Sequence, residues 1–139
     1  MRAVHRIVLH CSATEKGHDI DAAEIRQWHL ARGWSDIGYH YCIKIDGTIQ
    51  LGRQVAKQGA HVSGQNSDTI GICYVGGLYK GLPEDTMTSH QEMSFLNLVH
   101  SLRTVFGPLT VHGHNEFSNK ACPSFNVSEK YSFLIDVHN

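Results

Sequence analysis

The chain has 139 residues, a formal net charge of -1, and 41% hydrophobic against 18% charged residues. That length suits one domain, 1–139, around one core, and the balanced charge supplies no basic patch of the kind that nucleic acid or an anionic membrane favours. No apolar stretch approaches the roughly 18 to 20 residues that span a bilayer, and the short run Ile7-Val8-Leu9 lacks the length and cleavage site of a signal peptide; the expectation is a monomer made and kept in the cytoplasm unless another system exports it.

Val4 to His10 reads as a first strand, its centre continuous enough to be buried on both faces. A loop from Cys11 to Ile20 leads to a helix starting at Asp21, with Glu24 three positions on in a capping-box-like arrangement. Ile25, Trp28 and His29 share one side of it, which makes Trp28 a core residue, and Gly33 ends it and leaves Trp34 partly exposed. Tyr39 to Ile45 and Thr48 to Leu51 form a hairpin around the two-residue turn signal Asp46-Gly47. Thr69 to Val75 is another apolar strand, stopped by Gly76-Gly77, and Leu78 to Met87 reads as a loop.

Thr88 or Ser89 caps a long helix, with Gln91 placed to complete a capping box from Thr88. Phe95, Leu98, Val99, Leu102, Val105 and Phe106 form its apolar stripe, and Gly107-Pro108 stops it. A short strand, Leu109 to Val111, a loop holding His114 to Cys122, and a final helix from Ser128 to Val137 complete the chain. Strands and helices alternate around one sheet with a hairpin in the middle. The fold class expected is α/β, a single domain with a central mixed β-sheet flanked by helices.

Four cysteines and eleven histidines are present. Cys42 and Cys73 lie in apolar runs and read as buried free thiols; without a leader a disulfide framework is not expected. The other two cysteines keep different company. Cys11 adjoins His10 at the end of the first strand, and Cys122 follows His112, His114 and Lys120 in the loop after the last one. Imidazole and thiolate are preferred zinc ligands, and catalytic zinc sites typically use three of them and keep one position for water. His10 and Cys11 point to opposite faces of a strand, so only one can face a metal. His112 and His114 share a face, and spacing alone leaves both open.

Six segments occur in order: His10-Cys11-Ser12-Ala13-Thr14, Ile25-Arg26-Gln27-Trp28-His29, Gly38-Tyr39-His40-Tyr41, Ile45-Asp46-Gly47-Thr48, Ile70 to Gly77, and Lys120-Ala121-Cys122-Pro123-Ser124-Phe125. Together they resemble the type 2 zinc-dependent N-acetylmuramoyl-L-alanine amidases, a family that includes phage amidase-type lysozymes and the peptidoglycan recognition proteins. The resemblance runs from about Ile7 to Phe125. It implies Zn²⁺ held by His10, His114 and Cys122, with Tyr39 and Lys120 acting at the substrate. It also implies that His61 and Asn66 border the groove and face glycan or peptide. Phage relatives often carry a second histidine after the ligand histidine; here Asn115 stands there.

The substrate so implied is the amide joining N-acetylmuramic acid to L-alanine in peptidoglycan. Lys120 suits an oxyanion, and Tyr39 can orient water, shuttle a proton or donate. Glu116 lies close by but reads as a solvated loop carboxylate, and the general base stays open. The setting implied is a phage or prophage endolysin, released to the wall by a holin. The alternatives are a non-catalytic peptidoglycan-binding module on the same fold and an antibacterial amidase effector with a dedicated export system. Cys122 favours the enzyme, because its loss in binding-only relatives removes the metal.

Overall fold

The continuous apolar runs become the central strands. In the computed structural model, which describes residues 2–135, β1 (Arg6–Cys11) is buried at every position after Arg6, and β5 (Thr69–Tyr74) is buried throughout. Between them lie β2 (Thr14–Glu15), α1 (Ala22–Ala31), β3 (Tyr41–Ile43) and β4 (Ile49–Leu51). After them come β6 (Gly77–Tyr79), β7 (Leu82–Pro83), α2 (Ser89–Phe106) and β8 (Thr110–Gly113). A 3₁₀ turn (His114–Glu116), α3 (Val127–Lys130) and α4 (Ser132–Ile135) close the described chain.

The main sheet has the order β4-β3-β5-β1-β8. Its strands run parallel except for β4, which is antiparallel to β3. Strand alternation sorts the core into two layers. Ile7, Leu9 and Cys11 of β1 face α2, meeting Phe95, Leu98, Val99 and Leu102. On the other face Cys42 and Cys73 pack with Ile25 of α1, Ile20 and Ile37, as buried free thiols. This is the α/β arrangement with helices on both faces that near-continuous apolar strands require.

Both helix starts form as their capping residues dictate. The Asp21 side chain accepts from Glu24 N–H at 2.9 Å, and Thr88 and Gln91 complete a reciprocal capping box.

Several expectations need correction. The hairpin closes with Lys44 N–H bonded to Thr48 O, so its loop is the three residues Ile45-Asp46-Gly47, with Gly47 at φ +90. The expected loop Leu78 to Met87 contains the end of β6 and all of β7; β6 is the middle strand of a small second sheet, parallel to β2 and antiparallel to β7. Trp28 is 40% exposed and Val105 67% exposed. At 3.6 residues per turn Val105 sits about 80° from Phe95, past the still-buried Leu98 at about 60°, and Trp28 sits about 60° from Ile25 at the edge of its stripe. The last helix is broken at Tyr131, whose ring is buried against Phe95 and Phe125; its expected end at Asp136-Val137 lies outside the described residues. No helix among the described residues is long and apolar enough to cross a membrane.

Candidate active site

Strand register brings the first two side chains together. Leu9 of β1 pairs with Gly113 of β8, so the next residues, His10 and His114, emerge side by side at the same end of the sheet. Their ring centroids are 4.6 Å apart. Cys122 arrives from the following loop and is tied to β1, its Sγ accepting from Cys11 N–H at 3.0 Å. The candidate ligand atoms of His10, His114 and Cys122 all lie within 4.8 Å of one another. A tetrahedral zinc with N and S ligands needs donors about 3.3 to 3.8 Å apart. Two imidazoles and a thiol are the donor set that ion takes, and they already converge to within about one ångström of that spacing.

The two open choices separate clearly. The Cys11 side chain belongs to the core layer under α2, on the face away from His10. Both His112 nitrogens are engaged, Nδ1 with Glu116 at 2.9 Å and Nε2 with Thr110 Oγ1 at 2.7 Å. Glu116 is therefore more than a solvated carboxylate: it pairs with His112 and accepts from Gly113 N–H at 2.6 Å, capping the 3₁₀ turn.

Tyr39 lies against His10, ring centroids 4.9 Å apart, and the His29 ring lies 5.4 Å from that of Tyr39. His29 Nδ1 accepts from Gly38 N–H at 2.8 Å, which anchors the backbone just before Tyr39. Lys120 is exposed and borders the same cleft as His114. This cleft, about 470 Å³, is also lined by Arg32, Trp34, His61, Asn66 and Phe117. Trp34, 36% exposed, offers it an aromatic wall with Arg32 over the ring.

His61 and Asn66 border the cleft, yet their polar atoms are largely committed elsewhere. Asn66 Oδ1 accepts from the backbone N–H of His61 and of Val62, at 3.0 and 2.9 Å, and so closes the loop between them. The His61 nitrogens contact His10 Nε2 at 2.9 Å and Thr69 Oγ1 at 3.1 Å.

Electrostatics at the site favour neutral imidazoles. Burial, then His61, His114 and Lys120, hold His10 well below its usual range. Burial and Lys120 lower His114. Burial also lowers His61 to about 3 and His29 to about 4. A neutral imidazole keeps the lone pair that a metal requires. Burial raises the Tyr39 phenol well above its usual range, so at neutral pH it is a proton donor. The Cys122 thiol is pushed up, first by its contact with Cys11 and then by burial; a dication alongside is what would draw out its thiolate.

Sequence reasoning missed His29, Thr69 and Arg32. His29 lies in the motif segment Ile25 to His29, which gives it no role, while Arg32 and Thr69 act through contacts made only in the folded chain.

A family model described as N-acetylmuramoyl-L-alanine amidase matches residues 1–125. The chain belongs to the N-acetylmuramoyl-L-alanine amidase family. Among curated relatives of this amidase, an endolysin of Enterobacteria phage K11 is 46% identical over 121 residues, covering 86% of this chain and 80% of the relative. An endolysin of Klebsiella phage KP32 is 42% identical over 137 residues, covering 96% and 91%. Among solved structures, the N-acetylmuramoyl-L-alanine amidase LysC from Clostridium intestinale URNW superposes with a TM-score of 0.79 at 27% identity, covering 94% of this chain and 87% of that one.

Proposed function

We propose that this amidase is a phage or prophage endolysin whose 139 residues form one catalytic domain. It cleaves the amide between N-acetylmuramic acid and L-alanine with Zn²⁺ held by His10, His114 and Cys122. The observation that carries the ligand assignment is the convergence of those three donors within 4.8 Å, with His114 also lining the cleft. Family membership and the endolysin relatives support the substrate and the setting. On this reading the monomer is made in the cytoplasm and reaches the wall after release by a holin.

When bound, zinc supplies Lewis acidity, polarising an acyl oxygen and lowering the pKa of water. The chain's own groups do the rest. Lys120 places a fixed positive charge at the cleft wall, where negative charge develops on the acyl oxygen. Tyr39, kept protonated by burial, donates to the same oxygen or to the departing amine. The cleft holds the peptide stem and sugar against Trp34 and Arg32, which orients the scissile amide.

Zinc quantitation, combined with digestion of purified peptidoglycan and mass spectrometry of the products, tests this reading. One zinc per chain and released stem peptides are expected. Wall binding without cleavage would instead make the chain a recognition module.

A further inference from the structure

The contacts behind His10 have a fixed direction. Thr69 Oγ1 lies 2.8 Å from the carbonyl oxygen of Gln65, which can only accept, so the single hydroxyl proton of Thr69 goes there. Thr69 Oγ1 must then accept at its other contact, 3.1 Å from His61 Nε2, which makes that nitrogen the N–H of His61. A neutral imidazole carries one N–H. His61 Nδ1 is therefore an acceptor, and its neighbour at 2.9 Å, His10 Nε2, must be the donor. His10 is left with one bare lone pair, on Nδ1.

The relay is buried along its length, with Thr69 0%, His10 1% and His61 9% exposed. The ring of His61 is also held in place. A Cβ built on Gly71 would lie 2.7 Å from His61 Cγ, and one on Gly59 would lie 2.8 Å from His61 Cδ2. The imidazole occupies space that any side chain at those two positions would take.

We propose that His61 is a positioning residue rather than a substrate contact: through the chain Gln65 C=O, Thr69 hydroxyl, His61, it fixes the tautomer and rotation of His10 so that Nδ1 is the nitrogen presented to the metal. The proposal rests on His10 being a ligand. Ligand histidines generally give their second N–H to an acceptor, and losing that acceptor costs about 10- to 100-fold in metal affinity. Here the acceptor is a second imidazole, which works only while its own far nitrogen stays protonated, and Thr69 secures that.

The test measures zinc affinity by competition with a chromogenic chelator in the wild type, His61→Ala, Thr69→Val and Thr69→Ser. Folding of each is checked by circular dichroism. Thr69→Val keeps the shape and touches neither histidine's backbone, yet frees His61 to carry its proton on Nδ1, facing His10. His61→Ala should weaken zinc about 10- to 100-fold. Thr69→Val should weaken it several-fold, and Thr69→Ser should restore it. In the metal-free protein, ¹⁵N imidazole spectra should show the Nε2–H tautomer for both His10 and His61. Wild-type zinc affinity in both His61→Ala and Thr69→Val, or an Nδ1–H tautomer at His10, would overturn this proposal alone. A wild-type chain that takes up no zinc would overturn the ligand assignment and this inference with it.

Discussion

His40 should make the fold sensitive to mild acid. Its ring is 1% exposed. Nδ1 accepts from Gly71 N–H at 3.0 Å, and Nε2 contacts the carbonyl of Lys57 at 2.8 Å. A second proton would have to sit on Nδ1 and face a donor. Burial accordingly lowers this histidine from 6.5 to about 4, against the opposing pull of Lys57 O. Between those values the unfolded chain binds a proton that the folded chain refuses, so the contribution of His40 is whole above pH 6.5. It is lost as pH falls, and levels off below about 4. One pH unit corresponds to about 1.4 kcal/mol, so the loss at pH 5 is about 2 kcal/mol. Against a total stability of about 5 to 15 kcal/mol that is a large fraction. With a urea slope of about 1 to 3 kcal/mol/M it moves the midpoint by about 1 M. Other buried histidines add to the wild-type slope, so the informative quantity is a difference. Urea unfolding with a metal chelator present, at pH 7 and pH 5, should show the stability gap between wild type and His40→Gln shrinking by about 2 kcal/mol at the lower pH. A gap of constant size would refute the argument.

On the proposed ligand set, Cys122→Ser should abolish amide cleavage and sharply reduce zinc content, and full occupancy in that variant, read by atomic absorption, would reject Cys122 as a ligand. Lys120→Ala and Tyr39→Phe should fold and retain zinc while kcat falls on the order of 10² to 10³ for loss of an oxyanion donor; unchanged kcat in both would exclude them from the chemistry. Digested wall should yield new L-alanine amino termini and no new reducing sugar ends, because glycosidic cleavage usually needs two carboxylates flanking the bond; reducing ends without amino termini would refute the amidase reading.

Local signals reached the frame of this molecule. Thr88 with Gln91, Asp21 with Glu24, and the apolar runs of β1 and β5 each state their structure within a few residues. The trio His10, His114 and Cys122, whose donors lie within 4.8 Å of one another, was reached through the family resemblance, because spacing alone left His112 and Cys11 open. The small second sheet was not, since two-residue strands have no periodicity to read. Trp28 and Val105 mark where a helical stripe is wider than the sheet it covers. His61 is the instructive case. Its neighbours in sequence suggest an open, hydrogen-bonding loop, and its partner His10 stands 51 residues away. What it bonds to is decided by the closed sheet and by the gap over Gly71.

The bond from Cys11 N–H to Cys122 Sγ joins positions 111 residues apart. A metal shared by His10 and Cys122 would therefore fasten almost the whole length of the chain into a ring. A disulfide across a loop of that size removes on the order of 5 kcal/mol of freedom from the unfolded chain. A metal clasp does similar work but opens and shuts with the free ion concentration. The resistance of such an enzyme to heat or proteases would then be a property of its surroundings as much as of its fold, falling wherever zinc is scarce and recovering when it returns.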